Sequence, residues 1–287
     1  MSDGLERTPR SGQGPGSEAP AASVGEWIRG AASEYVQGVR LWPLWLGLAV
    51  RDIRIRYKRT LLGPLWITLS MALTFTMLGM LFSALLENDI HHSLPHLAAG
   101  LATWGLVSGA AMEGPHIFVH SQHLIRSLRL PLTVHVLRQT TLNFFIFFHN
   151  ALAALAAFVL LGGELNAAML FWLVGLPVTF VTLFSGGLIF AILGARFRDL
   201  GPMVAVAMQL LFYMTPILWS PSDLPMARKY WITLNPLHHV IEMVRAPMLG
   251  RMPEPLSLGV AVGAAVVLGA GAFFLLGASR RRIAYWL

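Results

Sequence analysis

Two things are scarce in this sequence, cysteine and charge, and each scarcity excludes whole classes of protein. With no cysteine in 287 residues, the chain has no disulfides, thiolate metal sites, iron–sulfur clusters or cysteine nucleophiles. Charged residues make up only 12%, about half the ~25% usual for a soluble domain. That leaves too little polar surface to cover a water-soluble globule of this length. A G-x-x-x-x-G-K-[ST] phosphate loop is also missing. Gly25 and Gly30 have the spacing, but Ala31 and Ala32 stand where the lysine and the hydroxyl belong. Without them there is no phosphate cradle and no magnesium ligand, so the chain is not expected to hydrolyse ATP itself.

What is abundant is apolar: 55% of the residues are hydrophobic. The composition predicts an all-α polytopic membrane protein, because lipid cannot hydrogen-bond an open backbone and only helices or closed barrels satisfy it. Residues 1–24, rich in Gly, Pro, Ser and Ala, read as a disordered tail. No apolar run follows Arg7 and Arg10, so the tail is not a secretory signal. Residues 25–60 form an interfacial segment. Ile28, Ala31, Ala32, Tyr35 and Val39 recur at helical spacing among polar residues, Pro43 breaks the run, and Trp42 and Trp45 follow. An amphipathic helix with tryptophans suits the membrane surface.

From 61 to 287 the pattern predicts six transmembrane helices, since about 20 apolar residues cross the hydrocarbon layer. They are 65–86, about 97–120, 142–161, 168–193, about 203–219 and 256–277. The second is the least regular, interrupted by Glu113, Gly114 and Pro115, and the fifth is short and holds Pro216. An even number puts both termini on one side. That side then carries seventeen of the 21 lysines and arginines, and the other carries four: Arg228, Lys229, Arg245 and Arg251. By the positive-inside rule both termini are cytoplasmic. Topology thus accounts for most of the net charge of +7, and nucleic-acid binding is not needed.

Three segments stand out. The run Arg51-Asp52-Ile53-Arg54-Ile55-Arg56-Tyr57-Lys58-Arg59 leads into Leu62-Gly63-Pro64-Leu65-Trp66, where Gly and Pro set a bend and the cations suit anionic lipid. In the loop of about 121–132, Leu124 and Leu128 alternate with Arg126 and Arg129 until Pro131. A short amphipathic helix on the cytoplasmic face fits, as does a simple lipid anchor. The stretch of about 220–255 on the far side is too apolar for a loop and too broken, by Pro236 and Pro247, to cross the membrane. A re-entrant helix–turn–helix fits, buried in protein or lining a cavity, with Glu242 and Arg245 placed to pair at i,i+3.

These residues resemble a family. The run from Arg51 to Trp66, the loop Gly194-Ala195-Arg196-Phe197-Arg198-Asp199, Asn235-Pro236 with Glu242 and Arg245, and the closing Arg280-Arg281-Arg282-Ile283-Ala284-Tyr285-Trp286 are similar to ABC-2 type permeases. The branch they look most like exports O-antigen, capsule and teichoic acid. The resemblance covers roughly residues 40–287 and implies a homodimer of six-span subunits in the bacterial inner membrane. It also implies two separate ATP-binding cassette subunits that supply ATP and magnesium, membrane lipid around the chain, and a lipid-linked polysaccharide as substrate. It assigns a coupling role to Leu124, Arg126, Leu128 and Arg129. Re-entrant extracytoplasmic gate helices would hold Asn235, Pro236, Leu237, Ile241, Glu242, Val244 and Arg245.

Aromatic residues recur in the first and fifth spans: Trp66, Phe75, Phe82, Phe212, Tyr213 and Trp219. They read either as packing and lipid-facing residues or as a sugar-stacking channel lining. Glu113, near mid-membrane by this count, is costly in hydrocarbon and should face protein or a water-filled path. Two histidine groups, Glu113 with His116, His120 and His123, and Glu87 and Asp89 with His91, His92 and His96, fit polar span ends and an exposed loop better than zinc. No metal is assigned. Two other functions remain open from residues alone: an ABC-2 exporter of a small drug or lipid, and a membrane-embedded glycan polymerase or ligase. Only Glu242 with His238, His239 and Arg245 approaches the site that an enzyme would need.

Overall fold

The computed structural model describes residues 23–86, 90–128, 130–219 and 230–287. The expected tail lies outside them except for its last two residues, as do Glu87, Asp89, Arg129 and 220–229. Among the described residues all regular structure is helical.

The first helix, α1 (Val24–Arg40), is started by Ser23, whose side chain accepts from the Glu26 N–H at 3.4 Å. Such a cap satisfies one of the donors that a helix start leaves open. This helix has three faces. Gly30, Ala31 and Gly38 are buried against the protein, Val24, Ile28, Val36 and Val39 are exposed, and Arg29, Ser33 and Gln37 form a polar edge. An exposed apolar strip beside a polar one is the pattern of a helix lying in the membrane surface. At Gly30 the helix meets the flexible guanidinium end of Arg280, which would have to move aside for a larger residue.

Next, α2 (Trp42–Arg56) begins with Pro43 in its first turn, where a missing N–H costs nothing. The corner is tied by Trp45, whose Nε1–H donates to the Gly38 carbonyl at 3.1 Å. Arg59 and Gly63 then take positive φ values of 68° and 55°, turning the chain into α3 (Leu65–Leu86) at the expected Gly-Pro bend.

The bundle continues with α4 (Ile90–Glu113), a 3-10 turn at Gly114–His116, α5 (Ile117–His120), α6 (Gln122–Ser127), α7 (Leu132–Leu160) and a second 3-10 turn at Ala167–Phe171. It closes with α8 (Trp172–Arg196), α9 (Leu200–Met214), α10 (Tyr230–Thr233), α11 (Pro236–Met248) and α12 (Pro255–Trp286). Among the described residues four helices are long and apolar enough to cross a membrane: Leu65–Ala84, Leu132–Leu160, Ala167–Arg196 and Pro255–Trp286.

The other two expected spans differ in instructive ways. At 24 residues, α4 has the length, but the three histidines in its first turns lower its hydropathy. Those histidines lie on the helix rather than in the loop that the sequence suggested, because Pro95 sits inside α4 without ending it. The 15 residues of α9 are apolar but reach only about 22 Å at 1.5 Å per residue, and the helix ends at Met214 ahead of Pro216. The third apolar stretch, expected from 142, belongs to a helix that starts ten residues earlier at Leu132.

The core has two main clusters. One gathers Phe75, Leu94, Phe147, Met208, Ile241 and Met243 from α3, α4, α7, α9 and α11. The other gathers Val136, Leu188, Ala191, Ala272, Leu276 and Ile283 from α7, α8 and α12. Beneath the second cluster, α1 is pinned to the start of α7. Glu34 Oε2 accepts the Leu132 N–H at 2.7 Å, and Thr133 Oγ1 donates to the Glu34 carbonyl at 2.7 Å.

This joint is expected to titrate. Burial pushes the Glu34 carboxyl above its ordinary 4.5, with the Leu132 N–H and the Arg280 charge opposing the rise. The folded chain therefore holds this proton to higher pH than the unfolded chain does. The joint's contribution is greatest in acid and declines as pH rises from 4.5 through the raised folded value. Thermal midpoints of the detergent-purified protein, measured between about pH 4 and about pH 7, should fall more steeply for wild type than for Glu34→Gln, which keeps a carbonyl acceptor for Leu132. Parallel slopes would show that Glu34 does not control the joint.

Candidate functional site

The most deeply buried charge in the described chain sits on α11. Arg245 is 1% exposed. Its Nε donates to Glu242 Oε1 at 2.7 Å, its Nη2 reaches the same oxygen, and its Nη1 donates to the Pro216 carbonyl at 2.5 Å and approaches His96 Nε2 at 3.5 Å. The i,i+3 pairing read from the sequence is present, and it is buried rather than exposed. Burial pushes the Glu242 carboxyl up, but the charges of Arg245 and of the neighbouring His238 and Arg251 outweigh it and hold the group below 4.5.

The same helix is fixed at its start. Asn235 caps it, accepting the Leu237 N–H at 3.0 Å on Oδ1, while its Nδ2 donates to Thr215 Oγ1 at 2.9 Å. Pro236 occupies the first turn. Leu237 is half-buried, and Ile241 and Val244 are fully inside. Trp172 Nε1–H donates to the Val244 carbonyl at 2.9 Å, and a side chain at Gly175 would strike the Met243 carbonyl. His239 bridges Ser257 Oγ and the Thr233 carbonyl, each at 2.9 Å. The candidate gate residues therefore form one assembly wedged among α4, α8, α12 and the corner after α9. His96, Thr215 and the Pro216 carbonyl complete it, and no sequence signal pointed to them.

The candidate coupling residues lie elsewhere. Leu124 is half-buried on α6, Arg126 is exposed, and Leu128 is 49% exposed just past the helix end, in extended backbone. Arg129 lies outside the described residues. The six residues of α6, none of them fully buried, precede the joint where Leu132 meets Glu34.

The aromatic set is not brought together. Phe75 is 3% exposed and belongs to the core. Phe212 packs on Trp104 with ring centroids 5.5 Å apart, Phe82 and Trp219 are half-buried, and Trp66 and Tyr213 face outward. Glu113 ends α4, which starts at Ile90, and it lines a polar cavity with Asp52 and Arg138. Of the histidines beside it, His116 and His120 stack at 5.5 Å. Among the described residues no group of three or more His, Asp or Glu is arranged to hold a metal ion.

The profile described as ABC-2 type transporter covers residues 44–249. The chain belongs to the ABC-2 type transporter family. The matched region runs from α2 to the end of α11, so it contains α6 and the buried Arg245 assembly. The chain is 28% identical over 206 residues to an O-antigen export system permease protein RfbA of Klebsiella pneumoniae, across 70% of this chain and 78% of that protein. It is 26% identical over 205 residues to a second Klebsiella pneumoniae protein of that name, with the same shares covered. For an RfbA of Myxococcus xanthus the identity is 25% over 240 residues, across 80% of this chain and 91% of that protein. As a member of this family the chain is a multi-pass membrane permease.

In this ABC-2 permease, removing one partner of the buried pair should be far worse than removing both. Glu242→Gln strands the Arg245 charge and should cost about 3–5 kcal/mol, whereas Glu242→Leu combined with Arg245→Met should recover most of that loss. Thermal unfolding in detergent of the two variants and wild type checks this. Equal losses for both would mean that the pair carries no such coupling.

Proposed function

We propose that the chain is the membrane subunit of an ATP-driven exporter that moves a lipid-linked polysaccharide of the O-antigen or capsule class across the bacterial cytoplasmic membrane. The observation that carries this reading is that all three relatives bear an O-antigen export name while aligning over 70% to 80% of this chain. In this reading the permease makes six passages with both termini cytoplasmic. The chain passes upward in α3, α7 and α9 and downward in α4, α8 and α12, with the short α9 completed by the unwound stretch after Met214.

A polymer needs a wider path than six packed helices enclose, so the working unit is a homodimer. The outward apolar residues of α3 (Leu69, Leu73, Met77) and α9 (Val206, Leu210, Tyr213) are exposed in a single chain and suit a second copy as well as lipid. Two ATP-binding subunits, holding ATP and magnesium, attach through the α6 loop. In the same reading the Arg245 assembly is the extracytoplasmic gate, and the channel-facing aromatics come from those that one chain leaves accessible, Trp66, Tyr213 and Trp219 among them.

The α6 loop supports the partner reading because it leaves Leu128 exposed beside Arg126, an apolar contact next to a cation. Leu128→Asp should abolish co-purification with the ATP-binding subunit and halt export while leaving membrane insertion intact, since the substitution lies outside every span. Normal complex formation by that variant would return the segment to simple lipid anchoring.

A further inference from the structure

A helix of six residues is too short to hold itself together in isolation, yet α6 keeps its turns. Its side chains divide between two environments. His123, Arg126, Ser127 and the following Leu128 are exposed, while Ile125 is half-buried and joins the second core cluster. Among the described residues, the main packing of α6 beyond its chain neighbour α5 is with α12. The fully buried Ile283 and the half-buried Trp286 and Leu287 belong to the same cluster as Ile125. The base on which α6 rests therefore includes the last turn of α12.

That last turn is itself held from the side. Arg196 ends α8, and Phe197 leaves the helix in extended backbone. The Arg196 guanidinium lies 5.2 Å from the centre of the Phe197 ring and 5.6 Å from that of Trp286. Both distances fall inside the reach of about 6 Å within which a cation is drawn to an aromatic face. Arg196 thus clasps Trp286 to the end of α8. One turn back along α12, Ile283 is enclosed, and Arg281 reaches Glu26 of α1 at 3.7 Å. The clasp is a specific contact on an otherwise open surface, where Arg196 and Phe197 are exposed and the neighbouring Tyr285 is 89% exposed.

We propose that the last turn of α12, clasped by Arg196, sets the position of α6, with Trp286 and Arg196 as positioning residues. Contact through Arg126 and Leu128 is tighter when the segment carrying them is already in place, because ordering it on binding subtracts from the affinity. The run Ile283-Ala284-Tyr285-Trp286 therefore does more than finish a span, since it fixes the surface that α6 offers to a partner. This use of α6 rests on the reading that it contacts an ATP-binding subunit, whereas its positioning rests on the packing alone.

The chain holds no cysteine, so spin labels attach only where one is introduced. Labels at His123→Cys on α6 and Arg54→Cys on α2, both exposed, report the position of α6 against a helix that packs on α7. In the detergent-purified full chain, double electron–electron resonance should give a broader distance distribution for Trp286→Ala and for Arg196→Gln than for the labelled background. Arg196→Lys, which keeps a cation over the rings, and Tyr285→Ala should both retain the narrow one. Affinity for a candidate ATP-binding subunit should fall about tenfold or more in the two broadened variants. Broadening without loss of affinity would sustain the positioning role and remove the α6 contact from the export reading. Should Trp286→Ala fail to fold, the exposed Arg196 decides the matter alone. An unaltered distribution in either folded variant, or equal broadening in Tyr285→Ala, would overturn the proposal.

Discussion

A guanidinium cannot be left uncompensated inside an apolar bundle, and the arrangement around Arg245 follows from that constraint. Its donors need a carboxylate and a carbonyl, and both come from backbone that an uninterrupted span would not offer. Glu242 lies one turn back on the same helix. The Pro216 carbonyl is free to accept because α9 has already ended, so the shortness of that helix is part of the site. Stranding such a charge costs several kcal/mol, which obliges α11, the start of α4 and the corner after α9 to stay together. The rest of α11 then packs without large gaps, since Ile241, Met243 and Val244 are all within 1% of complete burial. The Asn235–Thr215, Trp172–Val244 and His239–Ser257 hydrogen bonds add to this hub, so α11 has few ways to move as long as they hold.

The opposite end of the bundle is held differently. There the ties are spread out: the Glu34 carboxylate on the start of α7, Trp45 on the corner before α2, and Asp52 on Arg138. None of these groups is as deeply buried as Arg245, and each links a surface helix to a span. The surface helices α1 and α2 therefore ride on α7 and α12 as one base.

Much of this architecture was legible in the sequence, and the misses have physical causes. The apolar runs marked the spans because hydrocarbon demands length and hydrophobicity together. The same criterion hid the first ten residues of α7, which carry His135, Arg138 and Gln139, and the histidine-bearing start of α4, which looked like a loop. Spacing gave the Glu242–Arg245 pair, but its burial depends on α4, α8 and α12, which spacing along one helix cannot convey. Asn235 before Pro236 announced the start of α11, whereas His96 and the Pro216 carbonyl had no local signature. The polar cavity lined by Asp52, Glu113 and Arg138 was likewise invisible, being assembled from three separate stretches of chain.

The central claim is that this ABC-2 permease carries a lipid-linked glycan, and transport in a defined system tests it most directly. The chain and a candidate ATP-binding subunit would be reconstituted in proteoliposomes loaded with a polyprenyl-linked polysaccharide, with ATP and magnesium supplied on one side. Appearance of the glycan on the opposite face should require ATP and should stop when Glu242→Gln replaces wild type. Movement of a small amphiphile with no movement of glycan, or glycan chain growth without any need for ATP, would contradict the account.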